Sequence, residues 1–310
     1  MITIEELQVL ETNCAFHEAA NTGFFLLRGN DASTFLHRLL SNNVNALQEN
    51  QVQHNALLDR KGKVLSLFRL LKKDSCTFFG IASTTAHTQA FSLLTQFILS
   101  SEVSLTDVSS SFSHFILLGA KADTFLEEHD IETKLEDFNC GKLEDGSMYW
   151  RENLLGIQTW HFLFPTLFPN KTKNLFTEHL PSLSAETFFL LHLQGEVPLF
   201  PETIGSENIL LEAAKSSHFY ARGKGCYPGQ EVIERLLTYN KGKAPFSLRT
   251  LSLSGEHFFA KGTDVLNAKN EKCGQVLTCG YNPYLKQTSV VVRAKSNQPT
   301  HELQMSVRGR

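Results

Sequence analysis

Lys224-Gly225-Cys226-Tyr227-Pro228-Gly229-Gln230-Glu231 is the most informative stretch of this 310-residue chain. Gly225, Pro228 and Gly229 compress a turn, and Glu231 to Leu237 then reads as a helix. Cys226 falls on a tight loop at or just before that helix, where free amide N–H groups and the helix dipole favour an anion. Lys224 adds positive charge. On this reading the thiol pKa is lowered and the sulfur is reactive. The other reading is a structural turn around a buried cysteine.

Working outward, proline divides the chain. The first 164 residues contain none, and all nine prolines lie from Pro165 onward. Long regular elements are therefore expected first and turn-punctuated ones later. Asp31-Ala32-Ser33 reads as a helix start, with Phe35, Leu36, Leu39 and Leu40 on one face and Asn42-Asn43 closing it. Asp59-Arg60-Lys61-Gly62 separates two apolar segments, Val52 to Leu58 and Val64 to Leu71, as a hairpin. Phe91, Leu94, Phe97 and Ile98 predict a helix over 85–99. From Val103 to Pro181 the pattern is strand, strand, helix, strand, strand, helix, an α+β module of ferredoxin-like type over about 103–182. Ser184 caps a further helix that Gly195 ends. After Pro245 the short segments Leu248–Leu253, Val265–Leu266, Gly274–Thr278 and Ser289–Arg293 predict a small all-β, barrel-like module.

Composition narrows the function. With 29 Lys+Arg against 32 Asp+Glu the formal charge is -3, which argues against phosphate-backbone binding as the main role. No apolar run approaches the length of a membrane-spanning helix, and Met1 to Glu6 lack the basic and apolar regions of a secretory signal, so a cytoplasmic protein is expected. The six cysteines form no CxxC pair, and no metal held by this chain alone is expected. The twelve histidines include no HExxH pair, and there is no GxGxxG or P-loop. Ser216-Ser217-His218 lacks a nucleophile elbow and reads as a loop.

The eight-residue stretch resembles the KGC[YF]xGQE signature of the YgfZ family, the folate-binding relatives of the glycine-cleavage T-protein. Other segments resemble the family in the right order: Leu27 to Ala32 with Phe35-Leu36, Leu57 to Val64, Gly195 to Pro198 with Glu202, and Gly274 to Thr278. The resemblance implies an α+β, three-module GcvT-like ring around a central channel where tetrahydrofolate or a derivative binds. Two modules are α+β, one of them ferredoxin-like, and the third is a C-terminal β-barrel. It places the folate-binding region at 1–244 and the barrel at 245–310. It further implies a role in assembly or repair of iron–sulfur clusters, indirectly supporting tRNA modification, with iron–sulfur proteins or cluster carriers as partners.

Cys226 then becomes the reactive or cluster-contacting thiol, with Lys224, Gly225, Tyr227, Gly229, Gln230 and Glu231 shaping its surroundings. The T-protein's acidic pair is absent, because Gly62-Lys63-Val64-Leu65-Ser66-Leu67 stands in its place. An aminomethyl transferase without it lacks the charged partner for the reacting amine. Leu191 stands where relatives often carry an arginine, with His192 beside it. A folate cleft needs aromatic faces, aimed polar groups and a basic mouth. Trp160 and His161, on a predicted strand, are the candidates to line it, against a plain core role. Arg69 is the candidate for the anionic tail, against a solvated surface arginine. The rival functions are a folate-dependent one-carbon transferase, aminomethyl or methyl, and an interaction scaffold with folate as a structural ligand.

Overall fold

In the computed structural model, which describes residues 2–99, 101–167 and 169–305, three five-stranded antiparallel sheets carry the chain. The first is built from β2 (Thr22–Arg28), β3 (Gln51–Leu58), β4 (Val64–Asp74), β5 (Thr77–Ser83) and β6 (Ser104–Asp107), in the order β3-β4-β5-β2-β6. The second combines β1 (Ala15–Glu18), β7 (Phe112–Leu118), β8 (Cys140–Lys142), β9 (Met148–Arg151) and β10 (Thr159–Pro165), in the order β1-β7-β10-β9-β8. The third holds β11 (Phe246–Ser254), β12 (Asp264–Leu266), β13 (Lys272–Asn282), β14 (Gln287–Lys295) and β15 (Gln304–Met305), in the order β11-β14-β13-β12-β15. Among the described residues seven α-helices complete it: α1 (Ile4–Thr12), α2 (Ala32–Leu39), α3 (Thr84–Phe97), α4 (Ala122–Glu127), α5 (Lys171–His179), α6 (Ala185–Gln194) and α7 (Gln230–Tyr239). None is long and apolar enough to cross a membrane.

The β3–β4 hairpin forms where the two apolar segments and the Asp59–Gly62 turn require it. Asp59 accepts from the Lys61 and Lys63 amides at 2.8 and 2.9 Å, which closes the turn around Gly62. Ser83 caps α3 by accepting from the Ala86 amide. The helix then buries Ala86, His87, Ala90 and Leu94 against the first sheet.

The second sheet departs from the expected run of 103–182 on its N-terminal side. Its outermost strand is β1, nearly a hundred residues upstream, paired with β7 from Ala15↔Leu118 to Glu18↔Phe115. The strand after Val103, β6, instead pairs with β2 at the edge of the first sheet. Local pattern marks a strand but not its partner, and only tertiary packing assigns it. One face of this sheet is roofed by α4 and α5, with Phe115, Leu117, Phe162 and Phe164 meeting Ala122, Leu126 and Phe176. The other face turns Met148, Trp150 and Leu163 toward Phe24, Val52, Leu71, Phe79 and Ile81 of the first sheet. The seam between these two sheets is where the polar interior lies.

The third sheet is a curled half-barrel, in which β11 and β15 pair on one side only among the described residues. It is tied to the rest by a bidentate pair: Arg293 on β14 donates to Glu212 at 2.7 and 2.8 Å. Glu212 is buried and also accepts from Asn208 and the Ile209 amide. Removing one partner of a buried ion pair strands the other. The variant Glu212→Leu is expected to lower stability by about 3 kcal/mol, read as a fall in the urea midpoint.

Candidate functional site

The cysteine loop is fixed on three sides. The Ala221 amide donates to Ser41 O at 3.1 Å. Lys224 is buried, and its Nζ donates to His37 O and, at 2.5 Å, to Leu40 O at the C-terminal end of α2. The His37 ring donates back from Nε2 to Lys224 O at 2.8 Å. Tyr227 packs in the core with its ring 4.9 Å from the Lys224 ammonium. Gly229 has φ +81, and a Cβ there would lie 2.5 Å from Asp59 O and 2.8 Å from the Gly62 Cα. The loop therefore rests directly on the β3–β4 turn. Gln230 and Glu231 open α7, the former donating its amide to Tyr227 O at 3.2 Å.

Cys226 stands exposed on this fixed loop, and so does Gly225. The buried-cysteine reading is overturned. The thiol is also set back from α7, because Tyr227 and Pro228 separate it from the Gly229 cap. The charge of Lys224 faces the carbonyl end of α2.

A second cluster lies in the seam between the first two sheets. Glu152, just past β9, is buried, and Arg69 from β4 donates to both its oxygens at 2.7 Å. His54 Nε2 from β3 is 3.2 Å from one carboxylate oxygen, and His161 Nε2 from β10 is 3.8 Å from the other. His161 Nδ1 and His114 Nε2 are 3.0 Å apart, and His114 Nδ1 is 3.1 Å from Thr22 Oγ1. Trp150 stacks on His161 with centroids 4.9 Å apart and planes at 6°. His192 on α6 is buried, and its Nδ1 has no hydrogen-bond partner among the described residues.

The electrostatics follow from one charge pair in a dry place. Burial alone would raise the Glu152 pKa, but the Arg69 guanidinium and its hydrogen bonds hold the carboxyl well below the usual range. Burial, with Arg69 nearby, pushes His114 down to about 3 and His192 likewise to about 3. His161 is driven well below the ordinary imidazole range, burial again the largest cause. The cluster is thus one carboxylate and one guanidinium, with burial favouring the neutral form of His114, His161 and His192. Among the described residues no group of three or more His, Cys, Asp or Glu is arranged to hold a metal ion.

Two sequence expectations need correction. Trp160 does not line a cleft: it is fully buried on the helix-covered face of β10, with Nε1 donating to Asp123 at 2.7 Å. Its neighbour His161 points to the opposite face, as alternation in a strand requires. Arg69 is not a free cation at a mouth or a solvated surface residue, since Glu152 occupies its fork. Glu152, His54, His114 and Trp150 were not singled out from the sequence. A signal existed in Arg69, a lone charge inside Leu65 to Leu71, which demands a buried counter-charge.

Comparisons with known proteins agree with this architecture. Residues 1–150 match the family described as the GCVT N-terminal domain. The structure of glycine cleavage system aminomethyltransferase T from Bartonella henselae superposes with a TM-score of 0.84 at 14% identity, covering 99% of this chain and 86% of that one. This is a GcvT-like fold. In sequence, a tRNA-modifying protein YgfZ from Colwellia psychrerythraea is 25% identical over 232 residues, 73% of this chain and 68% of that protein. An aminomethyltransferase from Caldanaerobacter subterraneus is 19% identical over 326 residues, 99% of this chain and 84% of that protein.

Two outcomes are expected. Gly229→Ala forces a methyl onto the hairpin turn at a left-handed backbone, and destabilisation of about 2 kcal/mol or more follows in urea unfolding. Stability also falls as pH drops from about 6.5 toward 3. The unfolded chain protonates His114 and His192 at their ordinary pKa while the folded chain resists, so unfolding takes up about two protons near pH 4.5. Depression of Glu152 adds in the same direction. His114→Gln should flatten the profile of unfolding midpoint against pH.

Proposed function

We propose that this GcvT-like chain is a folate-binding accessory protein acting from an exposed cysteine, with residues 1–244 as the folate-binding region and 245–310 as the C-terminal module. The reading is supported most by one observation: a single carboxylate, Glu152, set with Arg69 among flat rings between the first two sheets. A pterin is flat and offers an N–H-rich edge, which a carboxylate matches. The set therefore offers tetrahydrofolate Glu152 and His161 toward the pterin, while Arg69 stays paired with Glu152 and orients its carboxylate. His192 supplies a buried ring nitrogen still open to a partner.

The space sets a condition. Glu152 and His161 are each 3% exposed, so the cluster is closed as it stands. A pterin enters this seam only if the cluster opens, so binding and opening are coupled. Folate, when bound, supplies a one-carbon carrier. The chain's own part is to exclude water, present one fixed negative charge and keep His114 and His161 neutral.

In this proposal Cys226 serves iron–sulfur cluster assembly or repair, and through it tRNA modification, the process the Colwellia relative is named for. An exposed thiol on a rigid loop suits contact with a cluster-bearing partner. The one-carbon transferase reading is weaker. Gly62 to Leu67 contains no carboxylate, and Ser66 there is buried with its hydroxyl on Ala86 O. The proposed site is cytoplasmic.

Titration with 5-formyltetrahydrofolate tests the binding half: Glu152→Gln and His161→Ala should each weaken affinity about tenfold or more. Cys226→Ala should bind normally yet fail to complement a deletion strain. Unchanged affinity in both seam variants removes folate from the seam, and full complementation by Cys226→Ala removes the thiol from the function.

A further inference from the structure

We infer that Lys224 is the positioning residue of the cysteine loop: its side-chain amine is a two-donor clasp on the free carbonyls of α2. The inference deepens the proposal above and rests on its reading of Cys226 as the working thiol.

The last carbonyls of a helix have no partner within it. In α2 those of His37 and Leu40 are both met by Lys224 Nζ, which comes from a loop almost two hundred residues later. His37 then donates its ring Nε2 to Lys224 O. Three hydrogen bonds thus join one residue of the loop to one helix end, two residues before the exposed sulfur. Among the described residues no carboxylate pairs with the amine. The remaining direction is closed by the face of Tyr227. Farther out, the Ala221 amide on Ser41 O and the Gly223 amide on Glu234 Oε1 depend on the same placement.

Two acceptors match the two hydrogens of a neutral amine. Burial pushes the Lys224 pKa down to about 8, so the folded chain favours the neutral form relative to the unfolded one as pH rises. The clasp needs N–H donors rather than charge, and it should survive deprotonation. An electrostatic anchor would behave in the opposite way and loosen.

Site-resolved hydrogen exchange tests this. Lys224→Met keeps the length and loses the donors, and the Ala221 and Gly223 amides should exchange about tenfold faster or more while amides of β3 and β4 keep their protection. Cells carrying that variant should lose complementation while 5-formyltetrahydrofolate affinity of the purified protein stays unchanged. Protection within about twofold of wild type overturns the inference. Should Lys224→Met not fold, the unmodified protein decides. Protection factors of those two amides, corrected for intrinsic exchange, should hold between about pH 7 and pH 9.5, and their collapse across that range contradicts a donor clasp. Neither exchange readout depends on what Cys226 does. Complementation by Cys226→Ala with intact Lys224-dependent protection would sink the functional reading alone.

Discussion

A guanidinium and a carboxylate held at 2.7 Å in a dry seam set the terms for much of this molecule. Arg69 belongs to the first sheet and Glu152 to the second, so their contact fixes how the two sheets meet. Neither charge tolerates isolation there, because an unpaired buried ion costs several kcal/mol. Everything close by is shaped to that pair. The imidazoles of His54 and His161 lie against the carboxylate with His114 behind His161, and Trp150 and the apolar side chains of both sheets close the seam.

The cysteine loop answers a different constraint. It has to show a sulfur to solvent without letting the loop wander. The chain achieves this with buried neighbours on both sides of Cys226: Lys224 on the end of α2 and Tyr227 in the core. Gly229 lets the backbone touch the hairpin turn, where any side chain would collide. The signature residues are thus chiefly fasteners, and the thiol is the one member left facing outward. The seam and the loop share the β3–β4 hairpin, whose strands carry His54 and Arg69 and whose turn carries Gly229.

Regular elements with strong periodicity were readable in the chain. The 52–58 and 64–71 segments form β3 and β4, and the 85–99 helix is α3 within two residues. The GcvT-like fold followed from the signature stretch. Pairing was not readable. β1 has four residues and a partner a hundred positions on, and β6 changes sheets relative to expectation. Trp160 shows why the site was harder. Strand β10 is buried on both faces, so Thr159 to Phe164 offer no polar alternation to say which side faces helices and which faces the seam. His161 was placed beside Trp160 for that reason, although adjacent residues point apart. Arg69 is a charge inside an apolar run, but its partner Glu152 carries no such mark, and only the packing of two sheets brings them together.

A double-mutant cycle on Arg69 and Glu152, with Arg69→Met, Glu152→Gln and the double variant compared in urea unfolding, measures the central interaction without reference to any ligand. A coupling free energy of about 3 kcal/mol is expected, with the double variant more stable than the sum of the single losses implies. Additive losses, with coupling below about 0.5 kcal/mol, would show that the pair does not hold the seam.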